Sequence, residues 1–403
     1  MKELFVKMYI KKIVPCLLAA FLTMGYAGCG TASANRGDQG RETSGLSSAE
    51  EISESSGNAE DGDNNEEGNS GTAEKTGTTS SETAELPSST QDIFAMDTYM
   101  TITGYGKKAE DAVNAAVDEI RRLDDMLSVG KADSEIAKIN NEGSGTVSED
   151  TEIMVEKALE IGETTGGKFD ITIYPLMVEW GFTTGDFKVP DEEKISSILE
   201  KVDYQKVDLD KEKGVLSLGE GQGIDLGGIA KGYTSDRVMD IFREYDLVSG
   251  VVSLGGNVEC YGKKPDGTDW RCGIQDPGNA DDPMAFLGVL EISDCAVITS
   301  GAYERNFEDE ETGRIYHHII DPSTGYSAQS GLSSVTIVSE SGLLADGLST
   351  AMYIMGADGA LEYWKEYGDD FEMVLMTDDD RIIVTEGISD QFTGNYPVTV
   401  EER

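Results

Sequence analysis

The stretch Val207-Asp-Leu-Asp-Lys-Glu-Lys-Gly-Val-Leu-Ser-Leu218 decides the fold class. Val207, Leu209, Val215 and Leu218 surround a turn near Gly214, and this pattern predicts an antiparallel β-hairpin. A second hairpin is predicted at residues 371–386. Because hairpins join these strands directly, the sequence predicts an α+β fold with mixed or antiparallel sheets and packed helices, rather than a doubly wound parallel sheet.

Helical patterns lie on both sides of the 207–218 hairpin. Upstream, apolar residues recur at spacings of three and four from Ala112 to Leu127, and downstream a helix is predicted from Gly227 to Tyr245. Further helices are predicted at 149–161 behind a capping box of Thr146 and Glu149, at 192–202, at 342–355 with an end at Gly356, and at 359–367. Strands are predicted near 100–105, 250–262, 270–275, 286–292, 295–299, 315–320 and 332–338.

Residues 1–29 are typical of a bacterial lipoprotein signal peptide. Lysines precede an apolar stretch at 13–27, which is too short to span a bilayer comfortably and ends in Tyr-Ala-Gly-Cys29. We therefore expect Cys29 to be lipidated and the protein to be anchored at the extracytoplasmic face of the cell membrane. Tyr26 stands where a leucine is usual, so an ordinary secretory signal or an uncleaved anchor remains an alternative.

Residues 30–90 form a linker of Ser, Gly, Thr, Glu, Asp and Asn, with 13 acidic residues against 3 basic ones. Such a segment cannot bury enough apolar surface to offset its ordering entropy, and we expect it to be disordered. From residue 91 to residue 403 the composition is that of a globular domain.

The charge and the metal-binding residue types exclude two functional classes. The formal net charge is −45, so nucleic-acid binding, which needs a basic surface, is not expected. There are only two histidines, and the five cysteines show no CxxC spacing, which argues against a structural zinc site.

Two clusters contain residue types suited to phosphate chemistry. The glycine-rich stretch 223–233 leads from a strand into a helix, where backbone amides attract phosphate and Lys231 adds a cation. Asp346 and Thr350 share one helix face and offer the oxygen ligands that magnesium prefers. Both clusters also have structural explanations. Such a turn is often only a tight connection, and a helical threonine often bonds its own backbone.

The two histidines, His317 and His318, precede a predicted Asp-Pro turn. Neighbouring residues on a strand point to opposite faces, so only one of the two can face a site. Each could equally be a histidine with a purely structural role.

Taken together, these clusters resemble the ApbE family of FAD:protein FMN transferases over about residues 92–390. The matching motifs are FDITIYPL (169–176), WGF (180–182), IDLGGIAKGY (224–233), SLGGN (253–257), TSGAYER (299–305), HHIIDPSTGY (317–326) and ADGLSTA (345–351). The resemblance implies an ApbE-like, T-fold-related domain at 91–403. It also implies magnesium-dependent transfer of FMN from FAD to a threonine or serine hydroxyl of an acceptor flavoprotein, with release of AMP.

The resemblance assigns roles to individual residues. It implies His318 as the catalytic residue, and we interpret this histidine as the base that accepts the proton of the acceptor hydroxyl. The implied magnesium ligands are Asp346, Thr350, Ser349 and the backbone carbonyl of Gly228. The implied contacts to FAD are Met96, Phe169, Asp170, Asp225, Lys231 and Ile320.

The sequence departs from the family pattern at two positions. Many relatives have glycine at the position of Asp97 and tyrosine near Gly130, which leaves one aromatic contact to the cofactor open. Some relatives mainly hydrolyse FAD, so an FAD pyrophosphatase that yields free FMN and AMP is the alternative function. A non-catalytic flavin- or solute-binding lipoprotein is a further alternative, and the intact pair of Asp346 and Thr350 argues against it.

The resemblance also indicates the kind of partner. Exported relatives modify flavoproteins of redox pumps and extracellular electron-transfer chains, often at a D-x-x-T-[GA]-A-T motif. The sequence does not identify the acceptor of this protein.

Overall fold

The computed structural model describes residues 86–403, so the predicted signal at 1–29 with Cys29, and residues 30–85 of the predicted linker, lie outside it. The helices in the described part are α1 (Ala109–Leu127), α2 (Glu135–Glu142), α3 (Glu149–Thr164), α4 (Tyr174–Trp180), α5 (Glu192–Leu199), α6 (Ala230–Glu244) and α7 (Gly342–Tyr367). No helix among residues 86–403 is long and apolar enough to cross a membrane.

The strands of the described part form one large sheet and three small ones. They are β1 (Ser88–Ala95), β2 (Thr98–Tyr105), β3 (Ser144–Thr146), β4 (Asp208–Asp210), β5 (Val215–Ser217), β6 (Ser249–Leu254), β7 (Asn257–Tyr261), β8 (Trp270–Gln275), β9 (Phe286–Ile292), β10 (Ala296–Gly301), β11 (Asn306–Glu308), β12 (Ile315–His317), β13 (Leu332–Ser339), β14 (Phe371–Thr377), β15 (Ile382–Thr385), β16 (Phe392–Gly394) and β17 (Val398–Glu401).

The large sheet has nine strands in the order β1-β2-β6-β7-β10-β13-β14-β15-β17. Its neighbours pair antiparallel, except for the parallel pair β15–β17. The small sheets have the orders β16-β9-β8, β3-β5-β4 and β11-β12. The hairpin predicted at 207–218 is present as β4 and β5, which pair antiparallel. The α+β prediction is confirmed.

The nine-stranded sheet is covered on both faces, although by different kinds of element. Helices α1, α6 and α7 pack on one face. The sheet β16-β9-β8 packs on the other face through a separate apolar core that includes Cys260, Cys272 and Leu290. Alternation along β7 therefore sends Cys260 towards the small sheet and Glu259 towards the helices.

The capping-box prediction at Thr146 and Glu149 is wrong. Ser148 is the N-cap of α3, and its hydroxyl accepts a hydrogen bond from the Thr151 amide at 3.3 Å. Thr146 instead ends β3, where it pairs with Val215. Both Thr146 and Ser148 carry a hydroxyl suited to capping, and a long-range strand pairing decides between them.

Several other boundaries differ from the predictions by a few residues. Strand β1 begins at Ser88, three residues before the predicted domain boundary at residue 91. Helix α6 begins at Ala230 rather than at Gly227, because the Gly227 amide donates to the Asp225 carboxylate in a turn. Helix α5 ends at Leu199 rather than at residue 202.

The predicted interruption at Gly356 is confirmed. Gly356 has φ 74° and ψ 174°, which is not helical, and it kinks α7 between its two halves. A Cβ atom at Gly356 would also lie 2.8 Å from the Ser330 carbonyl oxygen, so the kink needs glycine both for its conformation and for the close approach.

Candidate active site

A cavity of about 860 Å³ lies at the amino ends of α6 and α7 and is also lined by residues of the central strands β6, β7 and β10. Ten of the eleven predicted site residues of the globular domain line it, although they come from distant parts of the sequence. They are Met96, Phe169, Asp170, Asp225, Gly228, Lys231, His318, Ile320, Asp346 and Thr350. The structure thus brings nearly all of the predicted residues into one site.

The crossing of α6 and α7 places Asp346 in the cavity. The helices touch at Gly232 and Gly342, and a Cβ atom on Gly232 would lie 2.1 Å from the Gly342 carbonyl oxygen. At this contact the Gly232 amide donates to the Asp346 carboxylate at 2.8 Å. Asp236 of α6 accepts hydrogen bonds from the Gly342 and Leu343 amides at 2.6 and 3.0 Å, which caps α7 and ties it to α6.

The carboxyl group of Asp346 is nearly removed from solvent, with 5% of the residue exposed. Burial raises its pKa, while Lys231 and the Gly232 amide act in the opposite direction by stabilising the charged form. A bound cation at this carboxylate would offset the same desolvation cost.

Thr350 and Gly228 complete an oxygen-rich corner beside Asp346. A Cβ atom on Gly228 would lie 4.0 Å from the Thr350 hydroxyl oxygen, so the backbone of Gly228 is close to that hydroxyl. Residues 86–403 contain no cluster of three or more His, Cys, Asp or Glu side chains that could hold a metal. One carboxylate, one hydroxyl and a backbone carbonyl nevertheless fit magnesium, which completes its shell with water and substrate phosphate.

Ser349 is placed differently from the other predicted ligands, because it does not line the cavity. Its hydroxyl is fully buried, donates to the Asp346 carbonyl oxygen at 2.8 Å and lies 2.8 Å from the Ser300 hydroxyl. The Ser300 hydroxyl is also 3.4 Å from that of Thr350. Ser349 therefore supports α7, the helix that carries Asp346 and Thr350, from the side that faces away from the cavity.

His318 faces the cavity and His317 does not. The Nδ1 atom of His318 lies 3.3 Å from the Arg305 carbonyl oxygen, a contact that places the hydrogen on Nδ1 and leaves the Nε2 lone pair available. Burial, together with the nearby cations Arg305 and Lys231, holds the pKa of His318 well below its usual range. His317 instead lies 2.9 Å from the Ala328 carbonyl oxygen through Nε2 and packs edge-on against Tyr353.

The β1–β2 turn forms one wall of the cavity. Met96 and Asp97 have φ values of 47° and 59°, and the Met96 amide donates to Asp124 at 3.0 Å. Aspartate tolerates this left-handed conformation better than most residues, so Asp97 can occupy the turn without a glycine. On the opposite side the Phe169 ring packs against Gly228.

The two aspartates assigned to FAD binding are held by the protein backbone. Asp170 accepts hydrogen bonds from the Thr172 amide and hydroxyl and from the Tyr204 amide, so it organises the 169–176 segment. Asp225 accepts one from the Gly227 amide at 2.8 Å and remains close enough to Arg305 for attraction between their charges. Burial raises the pKa of both carboxyl groups.

Three further polar residues line the cavity that residue types alone do not predict, namely Glu304, Arg305 and Asn257. Glu304 is exposed in the cavity. Desolvation by the surrounding protein and the charge of Asp346 raise its pKa to about 7, against the effect of Lys231 and Arg305. Arg305 donates to the Phe182 carbonyl oxygen at 2.5 Å. The motifs TSGAYER and SLGGN contain these residues, so the motifs were the available signal.

Asn257 lies beside Asp346 at the start of β7. It is 2% exposed and lies close enough to Asp346 to lower the pKa of that carboxyl group, although its Nδ2 atom has no hydrogen-bond partner within residues 86–403. The preceding Gly255 has φ 64°, and a Cβ atom there would lie 2.1 Å from the Thr98 hydroxyl oxygen. The glycine pair of the SLGGN motif thus allows the tight turn that delivers Asn257.

Comparisons with known proteins show the family of this chain. Residues 96–375 match the ApbE family. The FAD:protein FMN transferase of Treponema pallidum is 31% identical over 322 residues, which cover 74% of this chain and 87% of that protein. A protein of the same name from Klebsiella pneumoniae is 32% identical over 270 residues, which cover 66% and 82%.

Two solved structures of ApbE proteins are similar to this chain. The ApbE protein of Thermotoga maritima has a TM-score of 0.70 to this chain at 32% identity, covering 76% of this chain and 99% of that one. The flavinyl transferase ApbE of Pseudomonas stutzeri has a TM-score of 0.67 at 26% identity, covering 76% and 96%.

Proposed function

This chain belongs to the ApbE family of flavin transferases, and from that premise we propose that it transfers FMN from FAD to a threonine or serine hydroxyl of an acceptor flavoprotein. The hydroxyl oxygen forms a new bond to the phosphorus of the FMN half. The bond from that phosphorus to the oxygen of the AMP half breaks, and AMP leaves.

The residues of the cavity suit this reaction because phosphoryl transfer depends mainly on alignment and charge neutralisation. Lys231 and Arg305 supply positive charge inside a chain whose net charge is −45. His318, held through Nδ1 by the Arg305 carbonyl, is neutral at pH 7 and accepts the hydroxyl proton at Nε2.

We propose that Asp346, Thr350 and the Gly228 carbonyl hold a magnesium ion. The ion neutralises negative charge on the diphosphate when it is bound. The Gly232 amide orients the Asp346 carboxylate, and Ser300 and Ser349 support Thr350 from the protein interior.

The observation that carries this proposal is the convergence of Asp346, Thr350, Gly228, Lys231 and His318 on one cavity. The test incubates the protein with FAD, magnesium and a tagged peptide bearing a D-x-x-T-G-A-T motif. Flavin fluorescence should migrate with the peptide on a denaturing gel. A matched peptide with alanine in place of both threonines of the motif should carry no fluorescence, and labelling of both peptides would contradict the proposal.

Hydrolysis of FAD to FMN and AMP is the second candidate, and Gly130 favours it. Gly130 lines the cavity, and a Cβ atom there would meet only the Ser128 hydroxyl, at 3.8 Å. The wall is therefore open where many relatives have tyrosine, and water has access. Free FMN measured in parallel with labelled peptide gives the ratio of the two activities.

We also propose that the protein is a lipoprotein at the extracytoplasmic face of the membrane, where it modifies a flavoprotein of a redox pump or an extracellular electron-transfer chain. The lipobox-like sequence ending in Cys29 supports this location. Cys29→Ser should release the protein from the membrane fraction. Persistent association without the lipid would indicate an uncleaved anchor instead.

A further inference from the structure

We propose that the acceptor polypeptide binds as an added strand on the free edge of β8, in a trough that leads to the Asp346 corner. This inference rests on the proposed transferase function and adds to it the surface that recognises the second substrate. Extended peptides commonly bind in this way when a sheet edge offers unpaired backbone groups.

Strand β8 is an edge strand. It is the last strand in the order β16-β9-β8, and within residues 86–403 no strand pairs with its other side. All six residues of β8, from Trp270 to Gln275, line the same cavity as Asp346. An unpaired edge inside a substrate cavity offers a row of backbone donors and acceptors to a ligand.

The hydrogen bonds of β9 show which backbone groups of β8 are available. The Glu291 amide and the Leu287 carbonyl bond to the β16 side, so alternate residues of β9 point that way. The residues between them face β8, where Leu290 pairs with Cys272. The amide and carbonyl groups of Arg271 and Gly273 therefore point to the open edge.

The trough has an apolar floor and runs towards the reaction centre. Its floor is the face of β6 and β7 that carries Val251, Ser253, Val258 and Cys260. At the far end the Trp270 indole donates to the Gly262 carbonyl oxygen at 2.9 Å. From there the lining of the cavity continues along β8 to Gln275, and the same cavity contains Asn257 and Asp346.

The occupant that fits this trough is a segment of the acceptor. The implied FAD contacts, which include Met96, Phe169, Asp225 and Ile320, belong to other walls of the cavity, and none of them lies on β6, β7 or β8. The acceptor hydroxyl must still reach the phosphate, and an extended chain is the form of polypeptide that pairs with a free strand edge. Six strand residues span roughly 20 Å, enough for a short motif.

Charge supports the same occupant. The side chain of Arg271 is 58% exposed, and its guanidinium is 3.6 Å from Glu291, a long contact for an ion pair. In a chain of net charge −45, an available cation on this edge suits the acidic residue of a D-x-x-T motif.

The test compares Arg271→Pro with the matched control Arg271→Ala. Proline removes an outward-pointing amide without removing a bond to β9, and proline is tolerated on edge strands. Arg271→Pro should raise the KM for the tagged D-x-x-T-G-A-T peptide at least ten-fold. Arg271→Ala keeps the amide and should raise it no more than about three-fold. The KM for FAD and the melting temperature should be unchanged in both variants.

A second measurement avoids any change to the protein. Peptides N-methylated at one backbone position at a time should lose labelling at every second position, because only alternate amides of an added strand face β8. Equal KM values for the two variants, or equal tolerance of N-methylation at all positions, would overturn the docking proposal. A raised KM for FAD in Arg271→Pro would overturn it as well, by placing FAD in the trough. Absence of labelling by the unaltered protein would instead refute the transferase function.

Discussion

At the scale of single residues, Asp346 is the only carboxylate among the proposed magnesium ligands, so its charge should dominate the affinity for the ion. Asp346→Ala should reduce transfer at least about a hundred-fold, because removal of one electrostatic stabiliser in an active site commonly costs that much. Thr350→Ala removes a neutral ligand and should lose less, with partial rescue by excess magnesium. Thr350→Ser keeps the hydroxyl and should be mild.

These variants need thermal melts beside the rates. If Asp346 and Thr350 had only structural roles, both alanine variants would lower the melting temperature and leave the activity per folded molecule intact. Near-normal magnesium-dependent transfer by Asp346→Ala would show that the metal binds elsewhere.

The environment of His318 sets the pH dependence that we expect. Its pKa lies well below 6.5, so the imidazole stays neutral, and able to accept a proton, at pH values where an ordinary histidine is charged. The acidic limb of kcat attributable to this base should therefore lie below pH 6.5. His318→Gln should lower kcat roughly a hundred-fold or more while FAD still binds. Unchanged transfer rates in that variant would remove His318 from the mechanism.

Glu259 should make the folded protein less stable as the pH rises. It is 3% exposed, its Oε2 atom has no hydrogen-bond partner within the described residues, and burial with neighbouring Asp236 raises its pKa well above the usual value. A raised native pKa means that the protonated form is favoured by folding. The stabilisation that protonated Glu259 gives to the folded state is complete at pH values below the pKa of glutamate in the unfolded chain, near 4.3. As the pH rises above that value, the free energy of unfolding falls by up to about 1.4 kcal/mol per pH unit.

Glu259→Gln should remove this loss, because glutamine is neutral at every pH. As the pH rises from 5 to 8, the melting temperature of the variant should increase relative to that of the unaltered protein. Glu212→Gln, at an exposed position, serves as the control and should follow the unaltered protein. Parallel curves for Glu259→Gln and the unaltered protein would contradict the assignment.

At the scale of secondary-structure elements, the crossing of α6 and α7 is the contact on which the site depends. Gly232→Ala would place a Cβ atom 2.1 Å from the Gly342 backbone oxygen and 2.7 Å from the Asp346 Cβ atom. The helices must separate, so we expect a loss of roughly 1–3 kcal/mol in unfolding free energy and a larger loss of magnesium affinity.

Gly359→Ala is the matched control for this prediction. Gly359 lies in the second half of α7, and an added Cβ atom would approach only the side chain of Met355. Alanine should be neutral or slightly stabilising there. Equal effects of the two substitutions on magnesium affinity would show that the close helix contact does not position Asp346.

At the scale of the whole molecule, local patterns predicted elements better than they predicted topology. The 207–218 hairpin and the interruption at Gly356 follow from turn residues and glycine, which act within a few positions. The pairing of β2 with β6, or of β10 with β13, joins segments far apart in the sequence, and local patterns carry no information about it. The same limit applies to α3, where the pairing of Thr146 with Val215 leaves Ser148 as the cap.

The residues of the site show the same difference between local patterns and long-range packing. Asp346 and Thr350 were recognisable because one helix turn separates them. Glu304 and Arg305 follow the end of β10 in an irregular segment, and their place in the cavity depends on how that segment packs against the residues around His318 and Phe182. Residue types alone did not distinguish them from surface charges. The open edge of β8 depends on sheet order and was likewise not predictable.

The mass of the acceptor after reaction is the most direct test of the central claim. The protein is incubated with FAD, magnesium and an acceptor domain bearing one D-x-x-T-G-A-T motif, and the intact acceptor is weighed by mass spectrometry. We predict that the acceptor gains the mass of one FMN less one water, that this group is located on a threonine of the motif, and that AMP is formed in equal amount. An unchanged acceptor mass while free FMN and AMP accumulate would contradict the account and identify the protein as an FAD pyrophosphatase.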